Sequence, residues 1–337
     1  MSPKPGAELT LLPVAVLSLG GTISSTKSGG PGVTPRLTGE ELVEAVPELA
    51  EIAEVSASSF RGVPGSELTI DDVVALSEEV KARLDGGAAG VVVTQGTDSI
   101  EETSFLLDLL VDREEPVVVT GAMRNPTLPG ADGPANLLSS VRVAASGAAR
   151  GLGAVVVFND EIHAARYVQK THASNPATFS SPWLGPLGWI SEETVRVAVR
   201  PVGRYHVSLP EGSRDRPVAL YTVGLGDDGR MLPELARLGY EGLVLEAFGG
   251  GHVPSGMVEH LENLALKMPV VLATRTRGGE VLGQTYGFPG SETDLLSRGL
   301  ASAGPLVSFK ARLLLSLLLR SGASKDAVAE TFEQWTG

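Results

Sequence analysis

Runs of β-branched residues alternate with amphipathic stretches along the first half of the chain. The uninterrupted apolar runs predict strands at residues 14–17, 91–94, 117–120 and 154–158. The first three runs are followed by helical spacing of apolar residues at 40–46, 100–111 and 135–145. Continuous valine runs are typical of strands buried on both faces of a parallel sheet, which helices cover through right-handed crossovers. The pattern predicts an α/β fold with a parallel sheet.

This alternation lapses between residues 200 and 216, a stretch rich in proline, glycine and charge that is typical of a domain linker. It resumes beyond the linker, where strands are predicted at 218–223, 243–246 and 270–273. Helical spacing is present near Met231, Met257, Leu313 and Ala327. We predict two domains, a larger N-terminal α/β domain of residues 1–212 and a smaller C-terminal α/β domain of residues 213–337.

The composition excludes several kinds of chemistry. The 337 residues include no cysteine, which removes disulfide scaffolds, thiolate nucleophiles and cysteine-ligated metals. The five histidines form no pair at i, i+4 spacing, so no metal site is predicted. Any nucleophile must be an oxygen, a lysine or a bound water, and no cofactor is expected.

Charge and apolar stretches bear on partners and location. The 27 Lys and Arg against 40 Asp and Glu give a net charge of -13, which disfavours nucleic acid as a partner. The apolar stretches at 9–19 and 313–319 are shorter than the roughly 20 residues that span a bilayer. Pro13 interrupts the first stretch, which argues against a secretory signal. We expect a cytoplasmic protein that acts on a small molecule, with no membrane contact.

Two predicted strands end in the same Gly-Thr pattern. Thr22 follows two glycines after the first strand, and Thr97 follows Gly96 after the strand at 91–94. Ligands of open parallel sheets bind beyond the carboxyl ends of strands, where glycine lets the backbone approach them closely. Both threonines are therefore expected to face one crevice. The alternative is that each is an ordinary strand-to-helix turn with threonine as the helix cap.

Lys170 is the candidate base for such a hydroxyl. Threonine is a weak nucleophile at neutral pH and needs a base or a hydrogen-bond relay, for which a desolvated lysine is suited. Lys170 follows the strand predicted at 154–158 and can reach the same sheet edge. The alternative is a solvated surface lysine, as most lysines are.

Four motifs occur in chain order: Leu19-Gly-Gly-Thr-Ile23, Thr94-Gln-Gly-Thr-Asp-Ser-Ile-Glu-Glu-Thr103, Thr120-Gly-Ala-Met-Arg124 with Ala131-Asp-Gly-Pro134, and Val168-Gln-Lys-Thr171. Together they resemble the bacterial-type L-asparaginase family, and the resemblance runs from about Val14 to Phe332. It implies an amidohydrolase that converts L-asparagine to L-aspartate and ammonia. L-Glutamine or D-asparagine is implied as a side substrate, because one methylene gives little discrimination.

The resemblance implies roles residue by residue. Thr22 matches the family's primary nucleophile, which attacks the side-chain amide carbon and gives an acyl-enzyme that water hydrolyses. Thr97, Lys170 and Asp98 match a second relay. There a neutral Lys170 accepts a proton through Thr97, while Asp98 pairs with the substrate's α-ammonium group.

Binding residues and assembly are implied in the same way. Ser66 and Glu67 match the family's clamp for the α-carboxylate and α-amino groups. Glu292, 18 residues before Lys310, matches an acidic residue that a neighbouring subunit donates. The resemblance therefore implies an obligate homo-oligomer, a tetramer of two dimers, in which the C-terminal domain completes the neighbour's site.

Two positions depart from the family's pattern. The predicted flexible lid at 24–36 has no aromatic residue, whereas the family usually carries a tyrosine there that assists the nucleophile. His252 stands where some relatives have an asparagine near the shared site, and either tunes affinity or caps a turn. The group that assists Thr22 is therefore not identified from the sequence.

Two other functions are weighed against amide hydrolysis. Residues 224–229 form a G-x-G-x-x-G pattern after a predicted strand, as in an NAD-binding oxidoreductase. Asp227 and Asp228 would repel a pyrophosphate at that position. The second alternative is a non-catalytic amino-acid-binding module that lost turnover with the lid tyrosine, against which the retained Thr22 and Lys170 argue.

Overall fold

The computed structural model describes residues 11–27, 33–35 and 37–335 of the chain. Contacts divide the chain into two compact units, Met1–His206 and Val207–Gly337. Each unit contains a sheet and an apolar core of its own. The predicted two-part α/β fold is confirmed, and the boundary placed after residue 212 stays a prediction.

The first unit is built on one large sheet. Its strands are β1 (Leu12–Ser18), β2 (Ser25–Lys27), β3 (Val33–Pro35), β4 (Ala53–Ser59), β5 (Gly90–Thr94), β6 (Val117–Thr120), β7 (Ala154–Phe158), β8 (Glu161–Ala164), β9 (Gln169–Lys170), β10 (Phe179–Ser180), β11 (Gly188–Ser191) and β12 (Thr194–Val197). Eight of them form the sheet in the order β12-β11-β8-β7-β6-β5-β1-β4. The five from β4 to β7 pair in parallel, and the remaining pairs are antiparallel.

Helices cover the parallel part of this sheet. They are α1 (Gly39–Glu44), α2 (Ile70–Asp85), α3 (Ile100–Leu110) and α4 (Gly133–Ala144). Every residue of β5, β6 and β7 is buried, which explains why these strands are continuous valine runs in the sequence. The strands and helices predicted from these runs are confirmed.

The antiparallel extension of the sheet was not predicted. β8 returns beside β7 through Asn159 and Asp160, both with positive φ, as a two-residue hairpin turn requires. The edge strand β4 was also missed, because its exposed and half-buried residues are mostly polar and give no valine run. The sheet is therefore mixed, with the predicted parallel strands in its middle.

The second unit has a smaller parallel sheet. Its strands are β13 (Val218–Thr222), β14 (Gly242–Ala247), β15 (Val270–Thr274) and β16 (Ala301–Ser302), in that order across the sheet. Its helices are α5 (Leu232–Arg237), α6 (Val258–Ala265), α7 (Glu292–Ser297), α8 (Ser308–Arg320) and α9 (Lys325–Gln334). The strands predicted from apolar runs are confirmed here as well.

Part of the predicted lid lies outside the described residues, namely residues 28–32 and 36. On either side of that gap, β2 and β3 pair in antiparallel fashion. The predicted linker at 200–216 contains no helix or strand. Within the ranges described, no helix has the length and apolar character needed to cross a membrane.

Candidate active site

Three glycine loops meet at the carboxyl edge of the large sheet. Strands β1 and β5 are neighbours, with Ser18 opposite Thr94, so the loops that follow them leave the sheet side by side. A Cβ atom on Gly21 would lie 2.0 Å from the Gly96 nitrogen, and Gly21 also has φ of +86°. A Cβ on Gly65 would lie 2.9 Å from the Gly96 oxygen. Only glycine permits this approach, which brings the residues after each glycine to one place.

Thr97 and Asp98 are joined to a lysine from a distant part of the chain. Lys170 Nζ donates hydrogen bonds to Thr97 Oγ1 at 2.9 Å and to Asp98 Oδ1 at 2.7 Å. Thr97 is buried, the Lys170 side chain is 15% exposed and the Asp98 side chain is 72% exposed. The lysine therefore contacts a shielded hydroxyl on one side and an accessible carboxylate on the other.

A short hairpin and a buried carboxylate fix the position of Lys170. Strand β9 pairs with β10, with Lys170 opposite Phe179. The Phe179 ring packs against Phe158 at the end of β7, with 4.8 Å between ring centroids. Glu101 Oε2 accepts a hydrogen bond from the Lys170 backbone N–H at 3.3 Å. The lysine is thus held against the sheet by its backbone, and its side chain is left to reach Thr97.

Thr22 begins a short 3-10 turn, Thr22–Ser24, directly after Gly21. The hydroxyls of Ser24 and Ser25 both donate to the Gly21 carbonyl, at 3.0 and 2.7 Å, which closes this turn. Thr22 is half-buried. Because Gly21 and Gly96 touch, the two sequence-predicted threonines leave the sheet edge one residue beyond a shared backbone contact.

The motif at 120–134 supports this edge rather than entering it. Asp132 accepts hydrogen bonds from the backbone N–H groups of Met123 and Arg124, at 3.0 and 2.8 Å. Asn136 Nδ2 donates to the Gly121 carbonyl at 3.0 Å. A Cβ on Gly121 would lie 2.5 Å from the Gln95 carbonyl oxygen. The loop after β6 is therefore locked against the loop that carries Thr97.

Ser66 and Glu67 lie on the 3-10 turn Gly65–Glu67, and both are exposed. Gly65 is the residue in backbone contact with Gly96, so this turn adjoins the Thr97 loop. Six of the seven sequence-predicted site residues are therefore brought to one edge of the first unit. They are Thr22, Ser66, Glu67, Thr97, Asp98 and Lys170.

Glu292, the seventh, belongs to the second unit and is 0% exposed. Its Oε1 accepts the backbone N–H groups of Thr285 and Tyr286, at 2.9 and 2.8 Å, and its Oε2 lies 3.1 Å from His252 Nε2. Burial disfavours the ionised carboxylate, but these donors outweigh it and hold the pKa of Glu292 below its ordinary value. Its predicted contact with a neighbour's substrate stays a prediction.

His252 and Tyr286, which both contact this carboxylate, form a cluster of rings with Phe288. The His252 ring meets Tyr286 and Phe288 edge-on, with ring centroids 4.8 and 5.2 Å apart. Both aromatic side chains are 45% exposed, whereas Glu292 is enclosed. Glu292 therefore holds two members of a partly exposed ring cluster, through the His252 ring and the Tyr286 backbone.

The G-x-G-x-x-G stretch at 224–229 is closed by its own side chains. Asp227 accepts the Gly229 backbone N–H at 2.9 Å and the Tyr221 hydroxyl at 2.8 Å. Asp228 accepts from Arg230. A backbone donor that a pyrophosphate needs is thus already paired with a carboxylate. In the part of the chain that is described, no group of three or more His, Cys, Asp and Glu side chains is arranged to hold a metal.

Sequence reasoning missed Gln95, Ser99 and Glu101, which contact Lys170 or the glycine loops that carry the predicted residues. Glu101 accepts the Lys170 N–H, and Ser99 joins the Thr97 loop to Gly65. Gln95 donates to Ser99. All three belong to the Thr94–Thr103 motif, but their partners lie far along the chain or depend on loop geometry. A serine at the start of a predicted helix was the available signal for Ser99.

Comparisons with known proteins cover both units. A family model described as Asparaginase, N-terminal matches residues 13–203, and one described as Glutaminase/Asparaginase C-terminal domain matches residues 217–332. The L-asparaginase of Bacillus licheniformis is 36% identical over 323 residues, which cover 95% of this chain and 98% of that protein.

Two further comparisons also cover nearly the whole chain. The probable periplasmic L-asparaginase of Haemophilus influenzae is 32% identical over 339 residues, covering 96% of this chain and 93% of that protein. The crystal structure of a probable cytoplasmic L-asparaginase from Campylobacter jejuni matches with a TM-score of 0.88 at 29% identity. That match covers 96% of this chain and 100% of the other.

Proposed function

The chain belongs to the asparaginase family, and on that premise we propose that it hydrolyses the side-chain amide of L-asparagine to L-aspartate and ammonia. The relatives named above are L-asparaginases, and their similarity extends over nearly the whole chain. Within the described residues, the six clustered side chains at the edge of the large sheet are the proposed site.

One observation carries the proposal: Lys170 Nζ lies 2.9 Å from Thr97 Oγ1 and 2.7 Å from Asp98 Oδ1. A hydroxyl that shares a hydrogen bond with an amine is the arrangement that proton transfer needs. In the arrangement described, the lysine donates to both oxygens. Lys170 can accept a proton only as the neutral amine. We therefore propose that the substrate binds at Asp98 before the proton is transferred to Lys170.

Thr22 is the proposed nucleophile. Its oxygen attacks the side-chain carbonyl carbon of asparagine, the carbon–nitrogen bond breaks and ammonia leaves with the hydroxyl proton. Water then attacks the ester carbon, which releases aspartate and restores the threonine hydroxyl. Thr97 and Lys170 take up and return the proton in each half of the reaction.

The α-groups of the substrate are proposed to bind beside this pair. Carboxylates form strong charge-assisted hydrogen bonds with ammonium groups, so Glu67 and Asp98 suit the α-ammonium group. The Ser66 hydroxyl suits the α-carboxylate. Both clamp residues are exposed and adjoin the Thr97 loop, which supports this assignment. L-Glutamine or D-asparagine is the proposed side substrate.

We propose that the active form is a homotetramer of two dimers, in which the C-terminal unit of a neighbour completes each site. Glu292 is the proposed contribution of that unit, together with the ring cluster of His252, Tyr286 and Phe288 beside it. Small-angle scattering of the active protein tests the assembly, and a fully active monomer would contradict it. A cytoplasmic location is proposed alongside, after the Campylobacter jejuni relative.

Ammonia release from purified protein with L-asparagine, and in parallel with L-glutamine, tests the function. We expect release by the wild type and a fall of about 10²- to 10⁴-fold in kcat for Thr97→Val, which removes the hydroxyl and keeps the shape. Thr222→Val is the control, because it makes the same substitution at the end of the parallel strand β13 in the second unit, outside the proposed site. Equal release by the wild type and Thr97→Val would refute the assigned relay.

The same assay separates the two alternatives. No release by the wild type, with asparagine still bound by calorimetry, would favour the amino-acid-binding module. Neither release nor binding, with NAD bound instead, would favour the oxidoreductase using Gly224 to Gly229.

A further inference from the structure

Ser99 joins two loops that belong to different parts of the proposed site. Its Oγ donates a hydrogen bond of 2.8 Å to the Gly65 carbonyl, 34 residues away in sequence. Gly65 directly precedes Ser66 and Glu67, and Ser99 follows Thr97 by two residues. The bond therefore runs from the loop of the proton relay to the turn of the proposed clamp.

The hydroxyl of Ser99 is used unusually for its place in the chain. Ser99 is the N-cap residue of α3, where a serine side chain normally accepts a hydrogen bond from the first turn of the helix. Here the side chain makes no such cap bond. Ser99 also ends the 3-10 turn Thr97–Ser99, which runs directly into α3, and its side chain is directed across the site to Gly65.

A second side chain fixes the direction of this hydroxyl. Gln95, which is 0% exposed, donates from Nε2 to Ser99 Oγ at 3.2 Å and to the Gly96 carbonyl at 3.3 Å. With the oxygen of Ser99 accepting from Gln95, its proton points to Gly65. Gln95, Ser99 and Gly65 thus form a chain of hydrogen bonds across the glycine contact between Gly65 and Gly96.

We propose that Ser99 is a positioning residue that sets the separation between the clamp turn and the Thr97–Lys170 pair, and thereby the length of amide side chain accepted. The inference rests on the proposed function. Asparagine and glutamine present the same α-groups, but the glutamine amide lies one methylene further away. Discrimination between them therefore depends on how rigidly the clamp is held relative to the reacting groups.

Steady-state kinetics of Ser99→Ala with both amides test the proposal. We expect KM for L-asparagine to rise about fivefold to tenfold, as for loss of one hydrogen bond, with kcat within about twofold of wild type. The ratio of kcat/KM for asparagine to that for glutamine should fall, since a looser clamp tolerates the longer side chain.

An isosteric pair and a matched serine separate positioning from folding. Ser99→Thr keeps the hydroxyl and should retain the wild-type KM within about twofold, whereas Ser99→Val has the same shape without the hydroxyl and should behave as Ser99→Ala. Ser104→Ala in the same helix removes a hydroxyl that donates only to its own helix, at the Glu101 carbonyl. It should leave both KM values unchanged.

Several results would overturn the inference. Unchanged KM values and an unchanged substrate ratio in Ser99→Ala and Ser99→Val would do so. A Ser99→Ala protein that fails to fold, while Ser99→Thr and Ser104→Ala fold, would also do so, because the hydroxyl would then hold the fold. Absence of ammonia release by the wild type counts against the proposed function instead, so the two failures are distinguishable.

Discussion

The carboxyl edges of the two parallel sheets differ in how their polar groups are used. In the first unit, Lys170 contacts Thr97 and an Asp98 carboxylate that is 72% exposed. In the second, Glu246 is the last residue but one of β14 and is 9% exposed, and its two oxygens accept hydrogen bonds from the hydroxyls of Thr222 and Ser308, each at 2.6 Å. A polar group at a strand end becomes a candidate site only where the chain leaves it capacity to bind something else.

The glycines at these two edges also differ. Gly21 and Gly96 are in backbone contact, since a Cβ on Gly21 would lie 2.0 Å from the Gly96 nitrogen, and a Cβ on Gly96 would lie 2.8 Å from the Gly65 nitrogen. Around Gly224 and Gly226, a Cβ would meet no described atom within 4 Å. Gly21 and Gly96 are required by close packing of loops, whereas Gly224 and Gly226 face open surface and Gly226 is favoured instead by its φ of +82°. The same residue type therefore marks an assembled site in one unit and a turn in the other.

The largest effect is expected from Lys170→Met, which removes the amine and keeps most of the side-chain volume. We expect kcat for asparagine to fall by about 10²- to 10⁴-fold, with a smaller change in KM. Lys81→Met is the control, since Lys81 forms an ion pair with Glu78 within α2 and should leave the kinetics unchanged. Wild-type turnover by Lys170→Met would remove the lysine from the relay.

A smaller effect, on stability, is expected from Glu292→Gln. The substituted amide cannot accept from all the groups that now donate to the carboxylate, so the free energy of unfolding should fall by about 2–3 kcal/mol. Urea denaturation measures it, and Glu259→Gln at an exposed position of α6 should change stability by less than about 0.5 kcal/mol. Equal stability of the two variants would mean that the buried carboxylate is not a structural anchor.

The pH dependence of stability gives a second test of the role of the Glu292 carboxylate. The pKa of Glu292 is lower in the folded protein than its ordinary value of 4.5. The ionised carboxylate therefore makes its full contribution to the free energy of unfolding above that pH. It is lost as the pH falls through the folded value. We expect acid to destabilise the wild type more than Glu292→Gln, measured as the difference in unfolding midpoint between neutral and acidic pH. Parallel acid curves would contradict this account.

The smallest effect is expected from Thr222→Val in the second unit. Loss of the hydrogen bond to Glu246 should lower the free energy of unfolding by about 1 kcal/mol and leave kcat and KM unchanged. The same substitution at Thr97 is expected to act on turnover. A fall in kcat for Thr222→Val without loss of stability would erase the distinction between the two edges.

The sequence identified the residues of the candidate site better than it identified the contacts between them. The repeated Gly-Thr pattern was enough to bring Thr22 and Thr97 to one sheet edge, because parallel strands end on the same side. Residue type and position after β7 made Lys170 a candidate, and the family resemblance alone paired it with Thr97. That it contacts Thr97 depends on the β9–β10 hairpin, whose pairs are too short to leave a periodic signal.

Strand prediction succeeded and failed for a related reason. β5, β6 and β7 are buried on both faces and therefore consist of apolar residues, which a single sequence reveals. β4 lies at the sheet edge with only one buried residue, so its sequence is dominated by partial exposure. Edge strands are determined by what they pair with rather than by their own composition.

By itself, the sequence determined the two α/β units, the parallel cores and the glycine loops, because burial and backbone freedom act on each residue locally. Only the tertiary structure decided which polar groups remain available. Thr97 and Asp98 meet a lysine more than 70 residues away, and Glu292 is enclosed by donors that precede it in the chain. Whether a polar group has used all its hydrogen-bonding capacity depends on residues that are distant in the sequence, so residue type alone does not reveal it.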